Sequence, residues 1–216
     1  MLDVEPIRLI VQGTAGVGKT FVIIAITYIT RRLFGYNSSV MNLAPTGAAA
    51  ILLPGGRTVH SVINVPRSSK KNPVNSLTDK PLSRQALAKL RDLTGTYPSP
   101  KLMCLNGDER GMWSHSLLAW TSQRLSEATE DFSNDFGNIP IVNLFGDVGQ
   151  MGPISKKELH VCPVDSDINV DHSGFAIYRS FTQCVVLSQT MRQREDQLSL
   201  LQRLLRIRIG EATQQD

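Results

Sequence analysis

The chain has 216 residues, 41% of them hydrophobic and 19% charged, a balance that excludes a disordered or low-complexity protein and leaves room for one α/β domain with a substantial core. A formal charge of +4 with a pI near 9.1 permits nucleic acid as a partner without demanding it. Three scattered cysteines, Cys104, Cys162 and Cys184, show neither CxxC nor zinc spacing, which excludes a disulfide scaffold and points to free thiols in a reducing compartment.

In chain order, residues 7–12 have the length and composition of a buried strand. They run into Gly13-Thr14-Ala15-Gly16-Val17-Gly18-Lys19-Thr20, which fits G-x-x-x-x-G-K-[ST] at every fixed position. The apolar run 21–29 then predicts a buried helix, closed by Arg31, Arg32 and Gly35. It is too short to span a bilayer, which needs about 20 apolar residues, and the acidic and basic residues Asp3, Glu5 and Arg8 do not suit a signal peptide. A soluble intracellular protein with no membrane partner is expected, nuclear or mitochondrial in a eukaryote and cytoplasmic otherwise.

Residues 40–44 read as a second strand, followed by an alanine-rich helix capped by Thr46 and stopped at Pro54-Gly55-Gly56. Residues 67–79 are polar and proline-containing, an exposed loop. Helical spacing recurs over 82–93 and 112–128, and strands are expected at 101–105, 139–145 and 184–187. The acidic, irregular stretch 155–174 reads as a surface excursion, and 195–209 as a last amphipathic helix. Strands alternating with helices imply an α/β fold, a parallel sheet with helices on both faces, in one domain spanning 1–216.

The motif at 13–20 is a phosphate cradle, because glycines let successive amides turn inward at the N-terminus of a helix. Gly13, Thr14, Ala15, Gly16, Val17 and Gly18 would supply that cradle. Lys19 would reach the β- and γ-phosphates of a nucleoside triphosphate, and the Thr20 hydroxyl would ligate Mg²⁺. Hydrolysis needs a second acidic element, and the adjacent Asp108-Glu109 suits it, Asp108 for the metal and Glu109 for the attacking water. Past the 139–145 strand, Asp147 could support the metal shell and Gln150 sense the γ-phosphate, while Arg192 is a candidate for countering transition-state charge. Trp113 and Trp120, seven residues apart on one helix face, read as core rather than base-stacking platforms, and His115 as an ordinary exposed or half-buried histidine.

Together with Ala44-Pro45-Thr46-Gly47-Ala48-Ala49-Ala50, Gly55-Gly56-Arg57-Thr58-Val59-His60-Ser61, Asp108-Glu109-Arg110-Gly111-Met112, Leu144-Phe145-Gly146-Asp147-Val148-Gly149-Gln150 and Leu187-Ser188-Gln189-Thr190-Met191-Arg192-Gln193, the phosphate loop forms an ordered set. The set resembles the first motor lobe of the Pif-family, RecD-like superfamily-one DNA helicases, Helitron-type helicases included. The resemblance implies a RecA-like P-loop ATPase lobe using ATP and Mg²⁺ in a 5′-to-3′ DNA helicase of repair, recombination or telomere maintenance. It makes Lys19, Asp108, Glu109, Gln150 and Arg192 catalytic and sets Thr46, Gly47, Thr58 and His60 along single-stranded DNA. It also implies a second motor lobe, with its arginine finger, and an upstream adenine-reading glutamine that this chain does not contain.

Two departures stand out. Asn106-Gly107 interrupts the apolar approach to the acids, so a looser acid loop is expected, and Met151-Gly152-Pro153 replaces a Leu-Pro-Pro turn. The first of these, with the missing second lobe, keeps a second reading open, a non-catalytic nucleotide- or DNA-binding remnant of a transposon-type helicase. A nucleotide kinase lacks its arginine-rich lid here, and a GTPase its Asn-Lys-x-Asp segment.

Overall fold

The computed structural model describes residues 5–66, 76–96, 99–147, 149–154, 156–164 and 169–189, with Arg203, Arg206, Gly210 and Glu211. In chain order the elements are β1 (Ile7–Gly13), α1 (Lys19–Phe34), β2 (Val40–Ala44), α2 (Gly47–Ala50), β3 (Arg57–Thr58), α3 (Val59–Ile63) and α4 (Arg84–Thr94). A short antiparallel pair, β4 (Gly95–Thr96) and β5 (Ser99–Pro100), leads to β6 (Cys104–Gly107), α5 (His115–Thr129), β7 (Ile141–Gly146), α6 (Asn169–Arg179) and β8 (Gln183–Leu187). The six remaining strands form one parallel sheet in the order β3-β2-β6-β7-β1-β8.

Alternation along the strands builds two cores. Met41, Leu43, Leu105, Val142 and Leu144 face one side and pack with Val59, Ile63, Leu90, Leu117, Leu118, Leu125, Val170 and Ile177 from α3 to α6. Val11, Ala44 and Phe145 face the other, against Ile23 of α1 and Ala49, Ala50 and Leu53 at and beyond α2. The expected parallel sheet with helices on both faces is therefore present.

The second face also carries a polar seam. Asn42, Asn106 and Asn143 stand side by side in register on β2, β6 and β7. Asn143 Nδ2 donates to Asn106 Oδ1 at 2.8 Å, and Asn106 Nδ2 donates to Asn42 Oδ1 at 2.8 Å. Asn42 Nδ2 in turn reaches Thr27 Oγ at 3.0 Å and the Pro54 carbonyl at 3.0 Å, tying the seam to α1 and to the turn after α2. All three asparagines are buried, and each amide has a partner, so the desolvation cost of burying it is offset.

Four expectations change. Asn106-Gly107 is not a loose approach to the acids but the end of β6, because Asn106 joins the seam and the space beside Gly107 is already filled. A Cβ at Gly107 would lie 2.9 Å from both the Trp113 ring and Leu144. Residues 169–174 begin α6 instead of an irregular excursion. Gly174 at mid-helix looks like a breaker, yet it is what allows α6 to press on α5, since a Cβ there would sit 1.9 Å from the His115 carbonyl. His115 is consequently buried, its Nε2 at 3.1 Å from the Leu159 carbonyl and its ring edge-on to Phe175. Helix α1 is not buried all round. It meets the sheet through Ile23, Thr27 and Thr30, while Phe21 and Leu33 on its outer side are 73% and 74% exposed. Residues 67–75 of the expected loop, and all of the expected 195–209 helix except Arg203 and Arg206, lie outside the described residues.

The seam makes a direct prediction. Asn106→Ala leaves Asn42 and Asn143 each short of a buried partner and should lower unfolding free energy by about 2–4 kcal/mol. In urea denaturation the midpoint should fall with the m-value unchanged.

Candidate active site

The ends of β1, β2, β6 and β7 open into a single cleft of about 630 Å³, a volume within the range of small-molecule sites. Ala15, Gly16, Gly18, Lys19 and Thr20 of the glycine loop line it together with Asp108, Glu109 and Gln150. Residues 88 or more positions apart in sequence thus meet at the carboxyl ends of parallel strands, where α/β sheets bind ligands.

The loop is shaped by its glycines. Gly16 and Gly18 take left-handed backbone angles, φ 86° and 89°, which a side chain would oppose. Gly18 is also the N-cap of α1, and no side chain caps that end or places an acid in its first turn. The helix N-terminus therefore turns its partial positive charge toward the cleft unneutralised from within the helix. Gly13 lies against Val17, whose side chain is buried beneath the loop. Lys19 Nζ donates to the carbonyls of Gly13 at 2.7 Å and Thr14 at 2.8 Å, so the ammonium is set directly over the cradle.

Opposite the loop, β6 delivers the two acids. The Trp113 indole packs where Gly107 lacks a side chain and donates from Nε1 to the Asp108 carbonyl at 2.9 Å. Trp113 is fully buried and Trp120 nearly so, the latter with the Arg124 guanidinium 4.6 Å from its ring centroid; both are core residues, as expected. Asp108 Oδ1 accepts the Glu109 amide at 2.9 Å. Burial pushes the Asp108 carboxyl above the ordinary aspartate range, countered in part by that amide and by the charge of Lys19. Glu109 itself sits in the left-handed region, φ 49° and ψ 50°, a strained position for a non-glycine residue and the kind found at functional sites. Its Oε2 accepts a hydrogen bond from Thr46 Oγ at 3.2 Å.

A second layer holds these elements together, and sequence reading missed it. Arg110, buried behind the acids, donates from Nη2 to Gln12 Oε1 and from Nη1 to the Tyr178 hydroxyl, both at 2.6 Å. Gln12 Nε2 lies 3.5 Å from Asp147 Oδ1, which also accepts the Gly149 amide at 3.0 Å. Asp147 is buried and does not line the cleft, so it braces the turn that carries Gln150 rather than joining a metal shell. An arginine directly after an acidic pair was the available signal. Its partners Gln12 and Tyr178 had none, because nothing in sequence places them near residue 110.

The strand-end set extends along the sheet edge. Thr46 caps α2, its hydroxyl accepting the Ala49 amide at 3.2 Å, and Gly47 beside it is exposed. Ala44 and Thr58 pair between β2 and β3, and Thr58 caps α3 through the Ser61 amide, with His60 exposed on the first turn. Arg192 lies outside the described residues. For magnesium, the Thr20 hydroxyl and the Asp108 carboxylate are hard oxygen donors on one cleft, the type of ligand the ion takes when phosphates complete its shell. Among the described residues no group of three or more His, Cys, Asp or Glu could hold a metal unaided, and no helix is long and apolar enough to cross a membrane. Cys104 is buried, and Cys162 and Cys184 are exposed; all three are free.

The profile of the PIF1-like helicase family matches residues 2–211. Among solved structures, Bacteroides Pif1 bound to single-stranded DNA is similar at 24% identity and TM-score 0.66, over 97% of this chain and 44% of that one. Bacteroides Pif1 in complex with ADP-AlF4 is similar at 26% identity and TM-score 0.63, over 97% and 44%. Pif1 helicase from Candida albicans is similar at 22% identity and TM-score 0.67, over 97% and 42%. The chain therefore spans less than half the length of these solved relatives. No curated protein matches it.

Asp108 offers a pH test. A carboxyl with a raised folded value keeps its proton where the unfolded chain has lost it. Stability therefore falls as pH climbs from the ordinary aspartate range through the raised value, and the cost is complete above it. Asp108→Asn keeps the acceptor for the Glu109 amide and removes the buried charge. In the absence of nucleotide and metal it should melt above the parent at pH 7, the two converging at acid pH in calorimetry.

Proposed function

The chain belongs to the PIF1-like helicase family, and from that membership and the cleft we propose that it is the ATP-binding and hydrolysing motor lobe of a DNA helicase. The observation that carries the reading is the meeting of Lys19, Thr20, Asp108, Glu109 and Gln150 around one cleft. The family alone would suggest those roles; their convergence makes them chemically workable.

In this reading the loop amides of residues 13–18 and the N-terminus of α1 hold the phosphate chain. Lys19 turns from its loop carbonyls to the β- and γ-phosphates. Thr20 and Asp108 would hold Mg²⁺, which supplies charge neutralisation to the phosphates when bound. Glu109 accepts a proton from the water whose oxygen forms the new bond to the γ-phosphorus, as the bond to the ADP oxygen breaks. Gln150, on the braced turn after β7, orients that water or the γ-phosphate, and Arg192 opposes the negative charge that builds up in transfer.

Single-stranded DNA would pass along the exposed edge formed by Thr46, Gly47, Thr58 and His60, where small residues and hydroxyls permit close approach of a phosphate backbone. Bacteroides Pif1 is solved with single-stranded DNA and with ADP-AlF4, ligands of the two kinds this reading assigns. Residues 1–216 would form one lobe, and unwinding would require a second lobe to close on the nucleotide. Movement from 5′ to 3′ and service in repair, recombination or telomere maintenance follow from the family resemblance. The remnant reading loses one of its two motives, since Asn106-Gly107 is ordered strand and the Asp108 carbonyl is held by Trp113.

The test is magnesium-dependent ATP hydrolysis with and without single-stranded DNA. DNA should raise the rate, and Glu109→Gln should remove it by about 10²–10⁴-fold, the span of one general base. Lys19→Ala should weaken nucleotide binding itself. Nucleotide binding with no hydrolysis, even with the second lobe supplied, would favour a binding module instead.

A further inference from the structure

Thr46 joins two parts of the proposed site that the sequence keeps apart. It follows β2, Glu109 follows β6, and the two strands are neighbours in the sheet. Its hydroxyl accepts the Ala49 amide at 3.2 Å and donates to Glu109 Oε2 at 3.2 Å. A hydroxyl has two lone pairs but one hydrogen, and here that hydrogen is committed to the carboxylate. A carboxylate oxygen that accepts a hydrogen bond has its orientation set by the donor. Thr46 is only half-buried, and Gly47 and Ala48 beside it are exposed, so a second acceptor can reach it from solvent. The Glu109 backbone is held by Asp108 and the turn of residues 110–112, which leaves side-chain rotation as the way to release the carboxylate.

We propose that Thr46 is a one-proton switch on the catalytic base: without DNA its hydroxyl restrains Glu109, and a phosphate of single-stranded DNA takes over that hydrogen bond and frees Glu109 for the attacking water. The inference rests on the hydrolysis and DNA reading above and specifies how DNA would control that site. No covalent step is added; one hydrogen bond is exchanged between two anionic acceptors.

Competition for one hydrogen must be reciprocal. If DNA displaces Glu109, deleting the carboxylate must favour DNA. The experiment is fluorescence anisotropy of a labelled oligothymidylate with the parent chain, Thr46→Val, Glu109→Ala and the double variant. Deleting a negative charge near DNA tightens binding in either background, and the cycle cancels that part. The switch requires Glu109→Ala to tighten binding by about three- to tenfold more when Thr46 is present than in the Thr46→Val background, the range of a single net hydrogen bond. In parallel, Thr46→Val should raise hydrolysis without DNA and shrink the stimulation by DNA. Thr46→Ser, which keeps both the cap and the donor, should restore the coupling to Glu109 that Thr46→Val loses.

If DNA binds, Glu109→Gln abolishes hydrolysis and yet the cycle is additive, the switch is wrong and the motor reading stands. If the chain binds no single-stranded DNA, or hydrolysis is indifferent to Glu109→Gln, the motor reading falls and takes the switch with it.

Discussion

The hydrogen-bonded seam of Asn42, Asn106 and Asn143 is the constraint on which the active site rests. Central strands of a parallel sheet are apolar on both faces, and an apolar pattern says little about which residue lies opposite which. A one-residue slip of β6 would still bury hydrophobic groups, but it would carry Asp108 and Glu109 to the wrong height and face. Three amides bonded in sequence across β2, β6 and β7 remove that freedom, because any other register leaves buried polar groups without partners. The strands so aligned are those whose ends carry Thr46, the acid pair and the Gln150 turn.

Above the seam, packing converts strand register into side-chain placement. Gly107 is bare so that Trp113 can lie against the sheet, and the indole then grips the Asp108 carbonyl. The chain turns through the strained Glu109 and on to Arg110, whose guanidinium reaches back to Gln12, one residue before the glycine loop. Gln12 lies beside Asp147, which braces the Gln150 turn. The residue before the phosphate loop, the residue after the acid pair and the turn that carries Gln150 are thus joined by one hydrogen-bond network. Displacing any of them strains the others.

Much of this was legible in the sequence because it depends on local chemistry. The glycine loop announces its own conformation, residues 40–44 matched β2 end to end, and both tryptophans are core, although Trp113 precedes α5 in extended backbone and is buried against Gly107 rather than by helical spacing. What was misread depends on distant partners. Asn106-Gly107 looked like a turn because amide and glycine are turn formers, and only Asn42, Asn143 and Trp113 make them strand. Residues 169–174 read as irregular because the contact that lets α6 form there, Gly174 against the His115 carbonyl, joins segments far apart in sequence. His115 looked ordinary because Phe175 and Leu159, which bury it, are 60 and 44 positions away. Asp147 was assigned to the metal by its place after a strand, whereas Gln12 and the Gly149 amide turn it to bracing.

The most direct test of the whole account is a crystal structure with Mg²⁺, ADP and aluminium fluoride. The diphosphate should lie on the amides of residues 13–18, with the metal held by the Thr20 hydroxyl and the Asp108 carboxylate and the fluoroaluminate facing Glu109 and Gln150. The Lys19 ammonium should lie on the phosphates instead of on the Gly13 and Thr14 carbonyls. Nucleotide bound elsewhere, or bound in the loop with Asp108 and Glu109 turned out of the cleft, would contradict it.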